Sequence, residues 1–193
     1  MANKVKYGLK SVYYAVATIA ANGSATYTTP VAWPGAVNLS LDAQGDVTKF
    51  RADNIDYWVG QSNNGYSGSL ESALVPDSFK KDVLGYFEDS AGMLVEDAGA
   101  STTPFALLFQ FEGDDKATRH VLYNCTASRP AVNGQTTDAA IEPQTESVDL
   151  TASSIYVSAL SKNVVKASAL ESSTNYSNWF TTVQLPVATS ATT

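Results

Sequence analysis

The stretch PFALLFQFEGDDKATRHVLYNCTAS, residues 104–128, decides the fold. Residues 104–112 (PFALLFQFE) form a continuous apolar run that ends at the turn sequence Gly113-Asp114-Asp115-Lys116. The partner, 117–128 (ATRHVLYNCTAS), follows at once, so the two read as the strongest long β-hairpin in the chain. On its N-terminal side, 66–74 (YSGSLESAL) alternates, with Leu70 and Leu74 facing in and Ser67, Ser69, Glu71 and Ala73 facing out. Residues 36–42 (AVNLSLD) do the same: Val37, Leu39 and Leu41 share one face, and Ala36, Asn38, Ser40 and Asp42 the other. Residues 11–19 (SVYYAVATI) are rich in strand formers, and the turn Asn22-Gly23 leads to a further strand from Thr26 to Val31. On the C-terminal side, a loop over 130–144 precedes 145–153 (TESVDLTAS), where Val148 and Leu150 face in. Thr145, Ser147, Asp149, Thr151 and Ser153 share its other face.

Between these strands, Gln44-Gly45-Asp46 breaks the alternation. Residues 46–57 then mix charges with Phe50 and Ile55 and read as a long excursion or loop before a short strand, Tyr57 to Gln61, and the turn Asn63-Asn64-Gly65. A short helix is marked by Pro76 at its start, Asp77 and Ser78 in its first turn and Gly85 at its stop. Phe79 and Val83, four apart, give it one apolar face. Tyr176, Trp179, Phe180 and Val183 fall at i, i+3, i+4 and i+7, the spacing of a short amphipathic C-terminal helix. The reading is mainly β, one domain over 1–183, with 184–193 a flexible tail.

Composition narrows the function. Charged residues are 16% of the 193, and 21 Ser and 19 Thr take their place, which suits pleated, weakly charged surfaces. The net charge of −7 disfavours stable nucleic-acid binding, which needs Lys and Arg to displace counterions from phosphate. Cys125 is the only cysteine, so no internal disulfide is possible and a reducing compartment fits. Lys4, Lys6 and Lys10 before the mild apolar stretch Val12 to Ala21 imitate a secretion signal. Tyr13, Tyr14 and Thr18 interrupt that stretch and it has no Leu, so we expect none. No run approaches the ~18 apolar residues of a membrane helix.

No catalytic or metal constellation emerges. His120 is the only histidine, and Cys125, five residues on, would point to the opposite face of a regular strand. One His and one Cys are too few soft ligands for zinc, and Asp114-Asp115 lacks the spacing of a calcium loop. Pairs such as Glu71 with Glu112, or Asp46 with Asp53, are ones any acidic β protein offers. No phosphate-binding glycine loop occurs. Trp33, Trp58 and the ten tyrosines are scattered as packing residues would be. We therefore expect no catalytic residues, no metal and no cofactor.

The segments PGAVNLSLDAQGD (34–46), FRADN (50–54), NNGYSGSLESALVPDSF (63–79), DVLG (82–85), PFALLFQFEGD (104–114), KATRH (116–120), LYNCTASRP (122–130) and IEPQTE (141–146) occur in an order that resembles the major tail proteins of long-tailed, non-contractile (siphovirus-type) phages of Gram-positive hosts. The likeness runs through about residues 3–150, with Tyr176, Trp179 and Phe180 matched beyond it. Ser69 stands where the family has an acidic residue, and Arg51 where it has an aromatic. The resemblance implies a tail-tube fold: a β-sandwich or partial barrel of two packed antiparallel sheets with a flanking helix. It further implies hexameric rings stacked into a hollow tube that delivers the genome, a place in the virion tail, and assembly in the host cytoplasm. Partners implied are further copies of the chain, the tape measure protein, and the tail terminator and distal tail proteins, with DNA passing through unbound.

Two surfaces fit that picture. Three strands carry faces of small hydroxyl residues with one acid each, so Ser40, Asp42, Ser67, Ser69, Glu71 and Asp149 are candidates to line the channel. Asp46, Lys49, Arg51, Asp53 and Asp56, in the 45–57 excursion, supply both signs of charge and are candidates for contact between stacked rings. Two other readings suit the same composition: a secreted or cell-surface β-sandwich binding module of carbohydrate or adhesin type, and another virion β protein such as a tail completion or decoration subunit.

Overall fold

A computed structural model describes residues 5–112, 117–136 and 143–188. In chain order its elements are β1 (Leu9–Ile19), β2 (Ala25–Tyr27), β3 (Val31–Ala32), β4 (Ala36–Gln44), β5 (Val47–Ala52), β6 (Ile55–Gln61) and β7 (Gly65–Ser72). The helix α1 (Asp77–Asp82) follows, then β8 (Phe87–Glu88), β9 (Leu94–Val95), β10 (Phe105–Phe111) and β11 (Arg119–Ala127). Last come β12 (Glu146–Ser153), β13 (Ile155–Val157), β14 (Lys162–Val164) and β15 (Lys166–Ala169).

The hairpin read first from the sequence is the centre of the sheet. Strands run in the order β2-β1-β10-β11-β12-β7-β4, with β3 added to β1 and β15 to β11, and every pairing is antiparallel. β10 is buried on both faces, which is why its sequence is continuously apolar instead of alternating. The sheet curls so that β12–β7–β4 folds over β1–β10–β11. Val12, Tyr14, Phe105, Leu107, Leu122 and Cys125 then meet Leu70, Val148, Leu150 and Ala152 in one core, with Leu39 and Leu41 at its margin. The expected sandwich is thus present, built from two halves of one sheet. β4 returns alongside β1 without pairing to it, so the barrel stays open.

Helix α1 plugs one end of this core. At six residues it is too short to persist alone, and packing holds it. Phe79 lies 4.3 Å from the Trp33 ring centre and makes edge contacts with Tyr14 at 5.1 Å and Phe105 at 5.2 Å. Tyr14 donates a hydrogen bond to Asp82 Oδ2 at 2.9 Å, tying the end of the helix to β1. The outer face of β1–β10–β11 carries a second core, in which Ala15, Ala106, Leu108, Val121 and Tyr123 are covered by Ile155, Val157, Trp179 and Val183.

Four expectations need correction. The C-terminal segment 176–183 is a succession of turns, not a helix. Tyr176 N–H donates to Ser173 O and Trp179 N–H to Tyr176 O, so the turns are tight. The Ser, Thr and Asn residues among the aromatics compete for backbone groups and disfavour a regular helix. The apolar spacing still does its work, because Trp179 and Val183 are buried. Secondly, Val37 is exposed: a β-bulge between Ala36 and Asn38 takes it out of register with Leu39. Thirdly, Leu74 is exposed because β7 ends at Ser72 and the chain bends towards α1. Lastly, the Thr26 to Val31 strand is split into β2 and β3 around Pro30, which has no N–H to pair. The turn at Gly113-Asp114-Asp115-Lys116, part of the 130–144 loop and the end of the tail fall outside the described residues.

Phe79→Ala should destabilise the subunit by about 3–5 kcal/mol, the usual cost of emptying a fully buried aromatic site. A urea denaturation curve checks this, and a loss below about 1 kcal/mol would show that the helix does not close the core.

Candidate functional site: a polar strand face and a projecting arm

The register of β4, β7 and β12 brings all six channel candidates onto one face. Ser40 lies across from Ser69, and Ser69 from Asp149; Asp42 lies across from Ser67, and Ser67 from Thr151; Asn38 lies across from Glu71, and Glu71 from Ser147. The alternate residues, Leu39, Leu70 and Val148, form one row on the core side. The pleat therefore converts one buried apolar layer into one solvent-facing layer of hydroxyls and carboxylates. The outward residues of these strands include Asp42, Glu71 and Asp149 but no Lys or Arg. Thr145 Oγ1 donates to Glu71 Oε1 at 2.5 Å, which fixes one of the three acids. Such a surface offers a polyanion no cation to hold and a weakly repulsive wall.

The excursion after β4, expected as a loop, is a regular antiparallel hairpin of β5 and β6. Asp53 and Asn54, both with positive φ (52° and 63°), make its two-residue tip, the geometry of a type I′ turn. A bulge shifts the register between Phe50 and Arg51, so Tyr57 is the extra residue, and this hid the alternation in the sequence. The arm has two unlike sides. On one, Asp56 pairs with Lys49 at 2.9 Å and with Arg51 at 3.4 Å. On the other, Phe50 and Trp58 are cross-strand neighbours, and the Trp58 indole lies over Gly60, where a Cβ would sit 2.2 Å from the ring. Val47, Phe50, Ile55, Tyr57, Trp58 and Val59 are all more than half exposed. So much exposed apolar surface on one short ribbon is unusual for a subunit that stays alone.

The arm's base is stiff. Ser62 N–H donates to Asp46 O at 3.0 Å, Asn64 N–H to Gln44 O at 2.9 Å, and Asp46 N–H to Ser62 Oγ at 2.9 Å. These bonds carry the β4–β7 ladder into β5–β6, so one long ribbon runs from the polar face to the tip. About six residues per strand at ~3.4 Å each give a projection of roughly 20 Å. Of the five stacking candidates, Asp46 is at the base, Lys49, Arg51 and Asp56 share one side, and Asp53 is at the tip. Sequence reasoning found the charges but missed the aromatic side, whose signal was Phe50 and Trp58 flanking a possible Asp-Asn turn.

His120 and Cys125 do not face opposite ways as a regular strand would require. β11 bulges between Leu122 and Cys125, so both side chains turn to the first core's side of the sheet. His120 stacks on Phe109 at 5.2 Å. Cys125 is fully buried, and burial pushes its thiol up to about 12, far from a nucleophile's range. Among the described residues, no three His, Cys, Asp or Glu residues are grouped to hold a metal ion, and no helix is long and apolar enough to cross a membrane.

Residues 2–182 match the family model described as phage tail tube protein. The chain belongs to that family. No curated protein matches it. Tail tube proteins are structural and non-enzymatic. Membership places the protein in the virion tail and implies self-assembly into a tube.

Two outcomes follow. Gly60→Val should displace the Trp58 ring and raise acrylamide quenching of tryptophan emission while leaving the unfolding free energy from urea titration within about 0.5 kcal/mol of wild type. Cys125 should stay unreactive to Ellman's reagent at pH 8 in the native protein and react fully in denaturant; rapid native labelling would contradict the burial described here.

Proposed function

We propose that the protein, through a single tail-tube domain over 1–183 and a flexible tail at 184–193, forms hexameric rings that stack into the tail tube of a long-tailed, non-contractile phage of a Gram-positive host. The tube is assembled in the host cytoplasm around the tape measure protein, capped by tail terminator and distal tail proteins, and conducts the genome at infection. The observation that carries this reading is that one ribbon, β4–β7 with its β5–β6 extension, bears both an acidic hydroxyl-lined face and an exposed apolar arm.

The two parts have different tasks. The face of Ser40, Asp42, Ser67, Ser69, Glu71 and Asp149 lines the lumen. Six subunits at −7 give roughly −42 per ring, and a like-charged wall lets DNA slide without sticking. Among the described residues the outer edge of β4, nine residues long, pairs with no strand, a liability for a lone subunit. Pairing of that edge with a neighbouring subunit would remove it and continue the open barrel around the ring. The arm, with Asp46, Lys49, Arg51, Asp53 and Asp56, joins one ring to the next.

Negative-stain electron microscopy at rising protein concentration should show hollow tubes or six-fold rings. A monomer at every concentration would count against assembly by this chain alone. Removing residues 45–57 should leave a folded subunit that makes no tubes, and tubes from that variant would refute the arm's role. Asp42→Lys with Glu71→Lys should still build tubes but slow DNA delivery; unchanged infectivity would remove the repulsive-wall argument.

A further inference from the structure

We propose that the aromatic side of the arm seats on the opposite end of the same strand pair in the next copy, against Val37 and Leu74. This rests on the tube-forming reading and names the partner surface it requires. The arm leaves β4–β7 where Gln44 meets Gly65, whereas Val37 and Leu74 lie at the far end, where Ala36 meets Ser72. Val37 is 54% exposed and Leu74 70%, against 60% for Phe50 and 56% for Trp58. Neither exposure comes from a generally polar segment. The bulge that frees Val37 sits in an otherwise alternating strand, and Leu74 adjoins Val75, which is almost fully buried. Apolar side chains held in water at both ends of one ribbon are unfavourable unless something covers them.

The symmetry of the problem selects a second copy as that cover. The arm occurs at one end only, so copies related by a step along the ribbon meet arm to far end. That heterologous contact repeats without closing, as a tube's long axis demands. The hydrogen-bonded base means the arm is already ordered, so docking loses little chain entropy.

The test uses the full chain. Phe50→Cys and Leu74→Cys together, under mild oxidation, should give a ladder of covalent oligomers on a non-reducing gel, while either single variant stops at dimers; Cys125 is buried and stays out of the reaction. Leu74→Asp, and separately Phe50→Ser with Trp58→Ser, should each raise the concentration needed for tubes at least tenfold. If wild type forms tubes but the ladder is absent, or Leu74→Asp polymerises as wild type does, the contact proposed here is wrong and the tube reading stands. If wild type forms neither rings nor tubes, unaided assembly of this chain is refuted, and a missing ladder then overturns the contact as well. Arm-dependent flotation of unassembled protein with phosphatidylglycerol vesicles would assign the aromatic side to a membrane and overturn the proposal.

Discussion

Between Leu122 and Cys125, β11 advances three residues while its partner β10 advances two, from Leu107 to Phe105, and much of the architecture follows from that bulge. On its other edge β11 changes partner at the same place. Arg119–Leu122 pair with β15, and Asn124–Ala127 pair with β12. A strand that serves one neighbour before the bulge and another after it forks the sheet, and bulges sharpen local twist. β12, β7 and β4 swing over β1 and β10 to enclose the first core, while β15 packs Ala167 and Ala169 against the second. The strand is held on its second-core side: Tyr27 donates to Tyr123 O at 2.9 Å, and Tyr123 donates to Gln184 O at 2.8 Å.

From this fork the surfaces of the tail tube protein acquire their positions. Because β12–β7–β4 is folded over, one of its faces is spent on the core and the other must look outwards. A face that looks outwards from an antiparallel sheet is polar by default; the absence of Lys and Arg among acids and hydroxyls is the feature that departs from the default. The arm is the second departure. A subunit meant to remain alone would gain solubility by burying or charging Phe50, Ile55, Tyr57, Trp58 and Val59. Keeping them on a hydrogen-bonded ribbon clear of the body makes sense for a chain whose working state contains its own copies.

Much of this was legible in the residues. The hairpin of β10 and β11, the strands β4, β7 and β12, and the helix between Pro76 and Gly85 follow from periodicity and turn chemistry, which are local. The polar face was legible for the same reason, since Ser40, Asp42, Ser67, Ser69, Glu71 and Asp149 all obey period two. What failed was local in appearance only. The arm read as a loop because its bulge at Tyr57 broke the alternation and its ion pairs imitated a solvated segment. Tyr176, Trp179, Phe180 and Val183 read as a helix because their spacing is helical, yet the intervening Ser, Thr and Asn residues bend the chain into turns that bury nearly the same side chains.

Residues alone were enough for the strand content, the acidic and hydroxyl-rich character, and which residues of each strand oppose one another in character. Those properties depend on neighbours within a few positions and on the two-residue repeat of the pleat. It took the folded chain to join three separate polar strand faces into one surface, to bring His120 and Cys125 to one side, and to stand Val37 and Leu74 at the far end of the ribbon that carries Phe50 and Trp58. Each of these depends on register and bulges between strands distant in sequence. A one-residue slip reverses every side chain beyond it, so such relations are fixed by pairing and not by any single segment.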